Sequence, residues 1–447
     1  MIIIIMSMFI NREEEKKILN EIFNSKKAEL VLVYGRRRVG KSRLLIEAIK
    51  KMNALYFLAD ASDNILDIMA KQTNEKFVKF SNWDDFFDFI LKSKYEIFVI
   101  DEFQYLYQVN KAWPTILQRW WEKLKETNKK IILCGSLIST IYRIARGYGS
   151  ALYGRKTREI NITPLRFKCI RGMLPSYTTE ELIKAYCILG GVPRYLEEFD
   201  KNKTIEENFK EKLFEKTSFL YNEPINLLTE EFRDFSSYLS ILLAISGGKT
   251  KFNEIADYSH ILTNKLSKYM AILERIELIK KEIPITENKL KTKITRYFIR
   301  DNFYNFWLSF VMKNKALIEQ GLKKQVIDSI LPQLNDHYGR VFEEICKEII
   351  IEKQKGITKL GRWWYKDCEI DIVAMNEKDK ICYFAECKWK GGVNAEEILE
   401  ALKEKSNKVK WKNKEREEVY VIIAKSFSKR TDEAILIDLK EIEKILD

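Results

Sequence analysis

The sequence predicts a multidomain α/β chain: a parallel-sheet core first, a helical middle, and a second α/β domain at the end. Three observations carry this. Apolar runs at 30–34, 54–59, 96–100 and 130–134 read as buried strands, and the first is followed at once by helical spacing. Apolar residues at helical spacing fill 236–274 and give way to alternation over 278–298. Alternation then returns on both sides of a charged turn at 376–380, framed by an amphipathic helix at 338–351 and a helix at 396–405. A chain of 447 residues suggests about three domains. The expected boundaries are 1–165, 166–230, 231–330 and 331–447.

Composition excludes several classes. No apolar run is long enough to span a bilayer. The opening Met1–Met6 is apolar but short and lacks a basic flank, so it does not read as a signal peptide; a buried strand, or a start at Met6 or Met8, accounts for it. Seven cysteines without a C-x-x-C pair argue against a disulfide framework or a zinc ribbon, and a reduced cytoplasm is the expected compartment. His260 and His337 are the only histidines, so acid–base and metal chemistry falls to carboxylates and lysines. The net charge of +13 is uneven: +7 over 1–150, +1 over 151–230, +6 over 231–330 and −1 over 331–447. The surplus in 231–330 suggests a polyanion there, with a solvated basic face as the alternative.

The first strand, Leu30 to Tyr34, runs into Gly35, Arg36, Arg37, Arg38, Val39, Gly40, Lys41, Ser42 and Arg43, and then into helical spacing. Strand, G-x-x-x-x-G-K-S, helix is the context of a phosphate-binding loop. Its amides and helix N-terminus attract phosphate, Lys41 reaches the β- and γ-phosphates, and Ser42 holds Mg²⁺. A second apolar strand ends in Asp101 and Glu102, expected to hold Mg²⁺ and to activate the attacking water. A third ends near Ser136, which is expected to sense the γ-phosphate or to cap the next helix.

These motifs resemble the archaeal-type P-loop ATPase family within the AAA+/STAND assemblage. The resemblance extends to Phe9-Ile10-Asn11-Arg12-Glu13-Glu14, to Gly154-Arg155 with Ile160 to Leu165, and to Gly190-Gly191-Val192-Pro193-Arg194-Tyr195, and it covers about residues 8–310. It implies an ATP-hydrolysing core, Arg12 near the adenine, and a helical lid carrying Pro193. Arg155 or Arg194 would sense the γ-phosphate, or would serve as a surface ion-pair partner.

Three helices at 236–245, 252–257 and 261–274, followed by a hairpin, form a winged helix-turn-helix pattern. Lys265, Lys268, Lys280, Lys281, Lys289, Lys291, Lys293 and Arg296 supply cations for DNA phosphates, with Asn264 and Ser267 as base readers; protein contact is the alternative. The aromatic segment Tyr297 to Trp307 reads as core between domains.

At the end of the chain, a hairpin symmetric about its charged turn sets Asp371 opposite Glu386. Facing carboxylates repel unless a cation lies between them. With Lys388 beside them they fit Mg²⁺ or Mn²⁺ and phosphodiester attack. This resembles the PD-(D/E)xK nuclease superfamily, with its restriction-endonuclease-like α/β fold. The resemblance makes Asp371 and Glu386 metal ligands, Lys388 the charge stabiliser and Glu343 the carboxylate of the first helix; Ile370 stands where that superfamily often has proline. The expectation is therefore a DNA-binding ATPase with a C-terminal metal-dependent nuclease-like domain. It would be cytoplasmic, bind duplex or branched DNA, have no membrane partner, and leave homo-oligomerisation open. The rivals are a nucleotide-switched DNA-binding module with a silent nuclease fold, and a STAND-like switch acting through protein contacts.

Overall fold

A computed structural model describes residues 11–147, 149–288, 292 and 294–446. The apolar start, Phe9 and Ile10 of the opening motif, and the expected cations Lys289, Lys291 and Lys293 lie outside the described residues. The chain forms two compact units, 1–164 and 165–447.

The first unit is built on a parallel sheet. Its strands are β1 (Glu29–Tyr34), β2 (Ala54–Leu58), β3 (Ile97–Asp101), β4 (Lys130–Gly135) and β5 (Arg158–Asn161), in the order β2-β3-β4-β1-β5. Each neighbouring pair is parallel. β1, β3 and β4 are buried along their whole length, which is why they read as continuous apolar runs rather than as alternation. Alternate faces of the sheet feed two cores. Leu30, Leu32, Phe98 and Ile131 join an aromatic cluster with Phe86, Phe87, Trp113 and Trp120. Val31, Val33, Val99 and Ile132 pack with Leu19, Ile22, Leu44 and Leu45.

The second unit begins with helices. Thr178 and Glu181 form a reciprocal cap on the helix Thr179–Leu189, satisfying amides that the helix itself leaves open. The aromatic segment is core, as its spacing suggests. Phe303, Tyr304, Phe306 and Trp307 are buried, Trp307 donates to Tyr221 O at 2.8 Å, and Tyr304 donates to Pro224 O at 3.1 Å. Helices Ser236–Ser246, Phe252–Ser259 and Thr263–Arg275 precede an antiparallel pair, β6 (Ile279–Glu282) and β7 (Arg296–Ile299). The pair is shorter than the alternation suggests.

The C-terminal part runs helix Leu334–Lys353, β8 (Lys359–Tyr365), β9 (Cys368–Asn376), β10 (Ile381–Lys388), β11 (Val393–Asn394), helix Ala395–Ser406, β12 (Glu417–Ala424), β13 (Phe427–Lys429) and β14 (Ile435–Ile437). Its main sheet has the order β14-β12-β10-β9-β8. β8, β9 and β10 are antiparallel neighbours, while β10, β12 and β14 are parallel. Between β8 and β9 the chain turns at Lys366, whose φ of 52° is left-handed.

Candidate functional sites

In the first unit, the loop 35–40 lies between the end of β1 and the helix Lys41–Ile49. Gly35 has φ 154°, and a Cβ there would lie 2.2 Å from Ile162 O, so glycine is required. Gly40, at φ 94°, caps the helix with no side chain over its amides. Lys41 is buried, and its amine donates to Gly35 O at 2.9 Å and Arg36 O at 2.8 Å. Burial lowers its pKa, against the opposing charges of Glu102 and Asp101. Arg37 donates to Tyr105 Oη at 3.0 Å, and Arg38 takes a left-handed φ of 68°.

The tip of β3 supplies the acids. Asp101 is fully buried and accepts from Tyr56 Oη at 2.5 Å and from the Glu102 amide at 2.9 Å. The Tyr56 hydroxyl also meets the Ser42 side chain, which links Asp101 to the loop helix. Glu102 adopts φ 53°, an unfavourable conformation for a residue with a Cβ. Its Oε2 accepts from Gln104 Nε2 at 2.5 Å and from Ser136 Oγ at 2.8 Å. Ser136 thus orients Glu102 and is not a helix cap; the cap position of the helix Ile138–Ile141 is Leu137.

Gln104 was not legible as a site residue. It is fully buried, and its Oε1 would lie 2.3 Å from a Cβ on Gly135. The available signal was the pairing of a glutamine two residues after the strand-end glutamate with a glycine at the neighbouring strand tip.

Three arginines are engaged by protein groups, Arg155 and Arg194 in ion pairs, one of the two roles expected of them. Arg12 is buried, and its guanidinium bonds Val39 O at 2.9 Å, Thr163 O at 2.6 Å and Glu15 at 2.9 Å. Its donors are used on carbonyls, so it clamps the phosphate loop to the segment after β5. Arg155 reaches Ala151 O at 3.3 Å and Glu122 at 3.7 Å, neither of them in the loop. In the second unit, Pro193 opens the helix Pro193–Leu196, and Arg194 pairs with Glu198 at 2.6 Å and covers the Phe219 ring.

A second constellation lies in the C-terminal sheet. The register pairs Ile372 with Ala385, which brings Asp371 next to Glu386. Asp371 Oδ2 accepts from the Cys387 amide at 2.9 Å. Burial, then the Glu386 charge, raises the Asp371 pKa. Glu386 is buried and holds Lys388 at 2.9 Å and Lys405 at 2.6 Å, one lysine on each oxygen. Lys405 was missed because it lies on the helix Ala395–Ser406, far from the motif in sequence.

Glu343 is held differently from the expectation. Arg362 bonds both Glu343 and Glu369, and Arg296 bonds Glu369 at 2.9 Å. Among the described residues no three Asp, Glu, His or Cys side chains converge as a ready metal cage. The same ionic network corrects Lys280, whose amine is engaged by Glu282 at 2.7 Å and Glu344 at 2.8 Å and is not free for phosphate. Ile285 N donates to Arg362 O at 3.0 Å, adding a backbone bond beside β8. Lys265, Lys268 and Lys281 are exposed, as are Asn264 and Ser267.

A parallel α/β sheet with a G-x-x-x-x-G-K-S loop and an acidic strand tip defines the class, a P-loop ATPase. Residues 9–199 match the family model described as an ATPase domain predominantly from Archaea. Residues 307–399 match a model described as Archaea bacterial proteins of unknown function. The chain is 35% identical to an uncharacterized protein of Methanocaldococcus jannaschii, over 97% of this chain and 100% of that one. An uncharacterized ATP-binding protein of the same organism is 53% identical over 38 residues, 8% of this chain and 64% of that one. The Walker-type ATPase of Pyrococcus abyssi shares the fold, with a TM-score of 0.51 and 21% identity over 67% of this chain and 95% of that one. The chain belongs to the archaeal P-loop ATPase family. Among the described residues no helix is long and apolar enough to cross a membrane.

Proposed function

We propose that this ATPase binds DNA and couples its nucleotide state to a metal-dependent nuclease-type site in the C-terminal sheet. The observation that carries the reading is the meeting of Asp371, Glu386 and Lys388 at adjoining ends of β9 and β10, in a sheet flanked by the helices Leu334–Lys353 and Ala395–Ser406.

At the first site the donor set fits a magnesium nucleotide. The amides of residues 35–40 and the buried Lys41 amine suit phosphate oxygens, and Ser42 and Asp101 suit Mg²⁺. A bound Mg²⁺ supplies charge neutralisation for phosphoryl transfer. Glu102, held through Oε2, keeps Oε1 to orient water and take its proton. At the second site Asp371 and Glu386 suit a hard cation with oxygen ligands, and Lys388 suits the charge that develops on the attacked phosphate. The exposed Lys265, Lys268 and Lys281 supply phosphate contacts from the three-helix module, read as a winged helix.

The full chain, Lys41→Ala and Asp371→Ala are compared for ATP hydrolysis and for cutting of single strands, duplexes, forks and four-way junctions with Mg²⁺ or Mn²⁺. Lys41→Ala abolishes hydrolysis, and Asp371→Ala abolishes cutting without lowering basal hydrolysis. Cutting that survives Asp371→Ala sinks the assignment.

A specific observation favours a second reading, a silent nuclease fold. Both oxygens of Glu386 are taken by lysines, and Glu343 is taken by Arg362. It predicts salt-sensitive DNA binding with no cutting at any Mg²⁺ or Mn²⁺ concentration.

A further inference from the structure

A cleft of about 670 Å³ opens between the helix Leu334–Lys353 and the end of β10. Asp336, Gly339, Arg340 and Glu343 line it from the helix, and Lys388 and Lys390 from the strand end. Helical spacing puts 336, 340 and 343 along one face, so the wall changes in character along its length. Glu343 lines it together with Lys388, which pairs with Glu386 of the carboxylate site. About one helical turn from Glu343 stands Arg340, and two residues beyond Lys388 stands Lys390.

Arg340 and Lys390 are exposed, and neither has a carboxylate partner among the described residues. Arg340 makes only a long 3.4 Å bond from Nε to Asp336 O, which leaves the terminal nitrogens of its guanidinium facing solvent. Gly339, inside the helix, contributes no side chain to fill the space, and a Cβ there would sit 3.9 Å from Trp389 Cβ. Trp389, 7% exposed, also lines the cleft and packs its ring on Tyr338 and Phe342.

We propose that this cleft is a DNA-backbone subsite in which Arg340 and Lys390 hold the phosphate next to the one at Asp371 and Glu386. The assignment rests on the nuclease-type reading of that carboxylate pair for which phosphate is attacked. It does not rest on that reading for the binding itself. A strand lying here places one phosphate at the carboxylates and its neighbour at the paired cations. Arg340 offers a bidentate fork and Lys390 a point charge. Asp336 opposes this, and the second cation offsets it.

The test uses the full chain and a fluorescein-labelled 20-nucleotide single strand, with the matching duplex, in EDTA so that nothing is cut. Anisotropy is read across KCl concentrations for wild type, Arg340→Ala/Lys390→Ala and Lys265→Ala/Lys268→Ala. Loss of two phosphate contacts flattens the log–log salt slope by about 1.4 for the single strand and about 1.8 for the duplex. Both cations are exposed, and a thermal melt confirms that the double variant folds.

An unchanged slope and affinity in Arg340→Ala/Lys390→Ala overturns the subsite, as does a wild-type chain that binds neither probe. A flattened slope in a chain that never cuts with Mg²⁺ or Mn²⁺ supports the subsite and removes the nuclease reading. Cutting that persists with an unchanged DNA KM in the double variant removes the subsite and leaves the nuclease reading standing.

Discussion

Gln104 donates from its side-chain amide to one oxygen of the Glu102 carboxylate, at 2.5 Å. Ser136 reaches the same oxygen, so two donors from different strand ends aim one carboxylate. The left-handed backbone at Glu102 is held by this arrangement, and Gly135 is the space that admits Gln104.

Gln104→Leu therefore removes aim, not charge. The expected result is a fall in kcat for ATP hydrolysis of about 10- to 100-fold, with KM within about twofold. Gly135→Ala displaces the same glutamine and shows the same split. Steady-state hydrolysis with nucleotide-binding titration measures it; a raised KM at unchanged kcat would falsify the positioning role.

Arg12 ties the phosphate loop to the strand segment at Thr163 through backbone carbonyls. Arg12→Ala leaves those acceptors buried and costs about 2 kcal/mol in unfolding free energy. Nucleotide affinity falls with it, because the loop loses its restraint at Val39. Arg12→Lys restores little, since one amine does not span three acceptors. Denaturant melts with and without ATP separate the two effects.

Arg362 sits between Glu343 and Glu369 in a largely buried network. Arg362→Met leaves carboxylates without their partner and destabilises the chain by about 3–5 kcal/mol. Adding Glu343→Met recovers most of that loss, because Arg296 still neutralises Glu369. A double-mutant cycle by urea denaturation gives the coupling, and additive losses would contradict the pairing.

His337 is fully buried, packed on Phe306 and Phe310, with Nε2 3.1 Å from Cys187 O. Burial pushes its pKa from the ordinary 6.5 down to about 4. Between those values the unfolded chain binds a proton that the folded chain refuses. This contribution is whole above pH 6.5 and is lost as pH falls toward 4, to a total of about 3 kcal/mol. His337→Leu removes that component, so the difference between wild-type and variant stability shifts by this amount between pH 7 and pH 4. A pH-independent difference would remove histidine from the acid response.

The legible parts of the fold were local. The phosphate loop and its flanking strand and helix are consecutive, and every residue needed to recognise them lies within 30–49. Asp371 and Glu386 could be placed opposite each other because one charged turn sets the register of both strands. What sequence withheld was partnership. Lys280 looks like a free cation until Glu344, 64 positions later, is found against it. The carbonyls that Arg12 holds lie 27 and 151 positions away, and no local pattern announces them. The turn between β8 and β9 was hidden because Lys366 adopts a left-handed φ where glycine or asparagine would have signalled one.

The charge lattice that binds β6 and β7 to the C-terminal sheet, through Lys280, Glu282, Arg296, Glu343, Glu344, Lys347, Arg362 and Glu369, also has a thermal consequence. Hydration of separated charges becomes less favourable as water warms, so the cost of having desolvated this lattice shrinks with heat. Apolar packing gains no matching advantage per unit area. Heating therefore shifts the balance of cohesion at this junction from its oily contacts toward its ions.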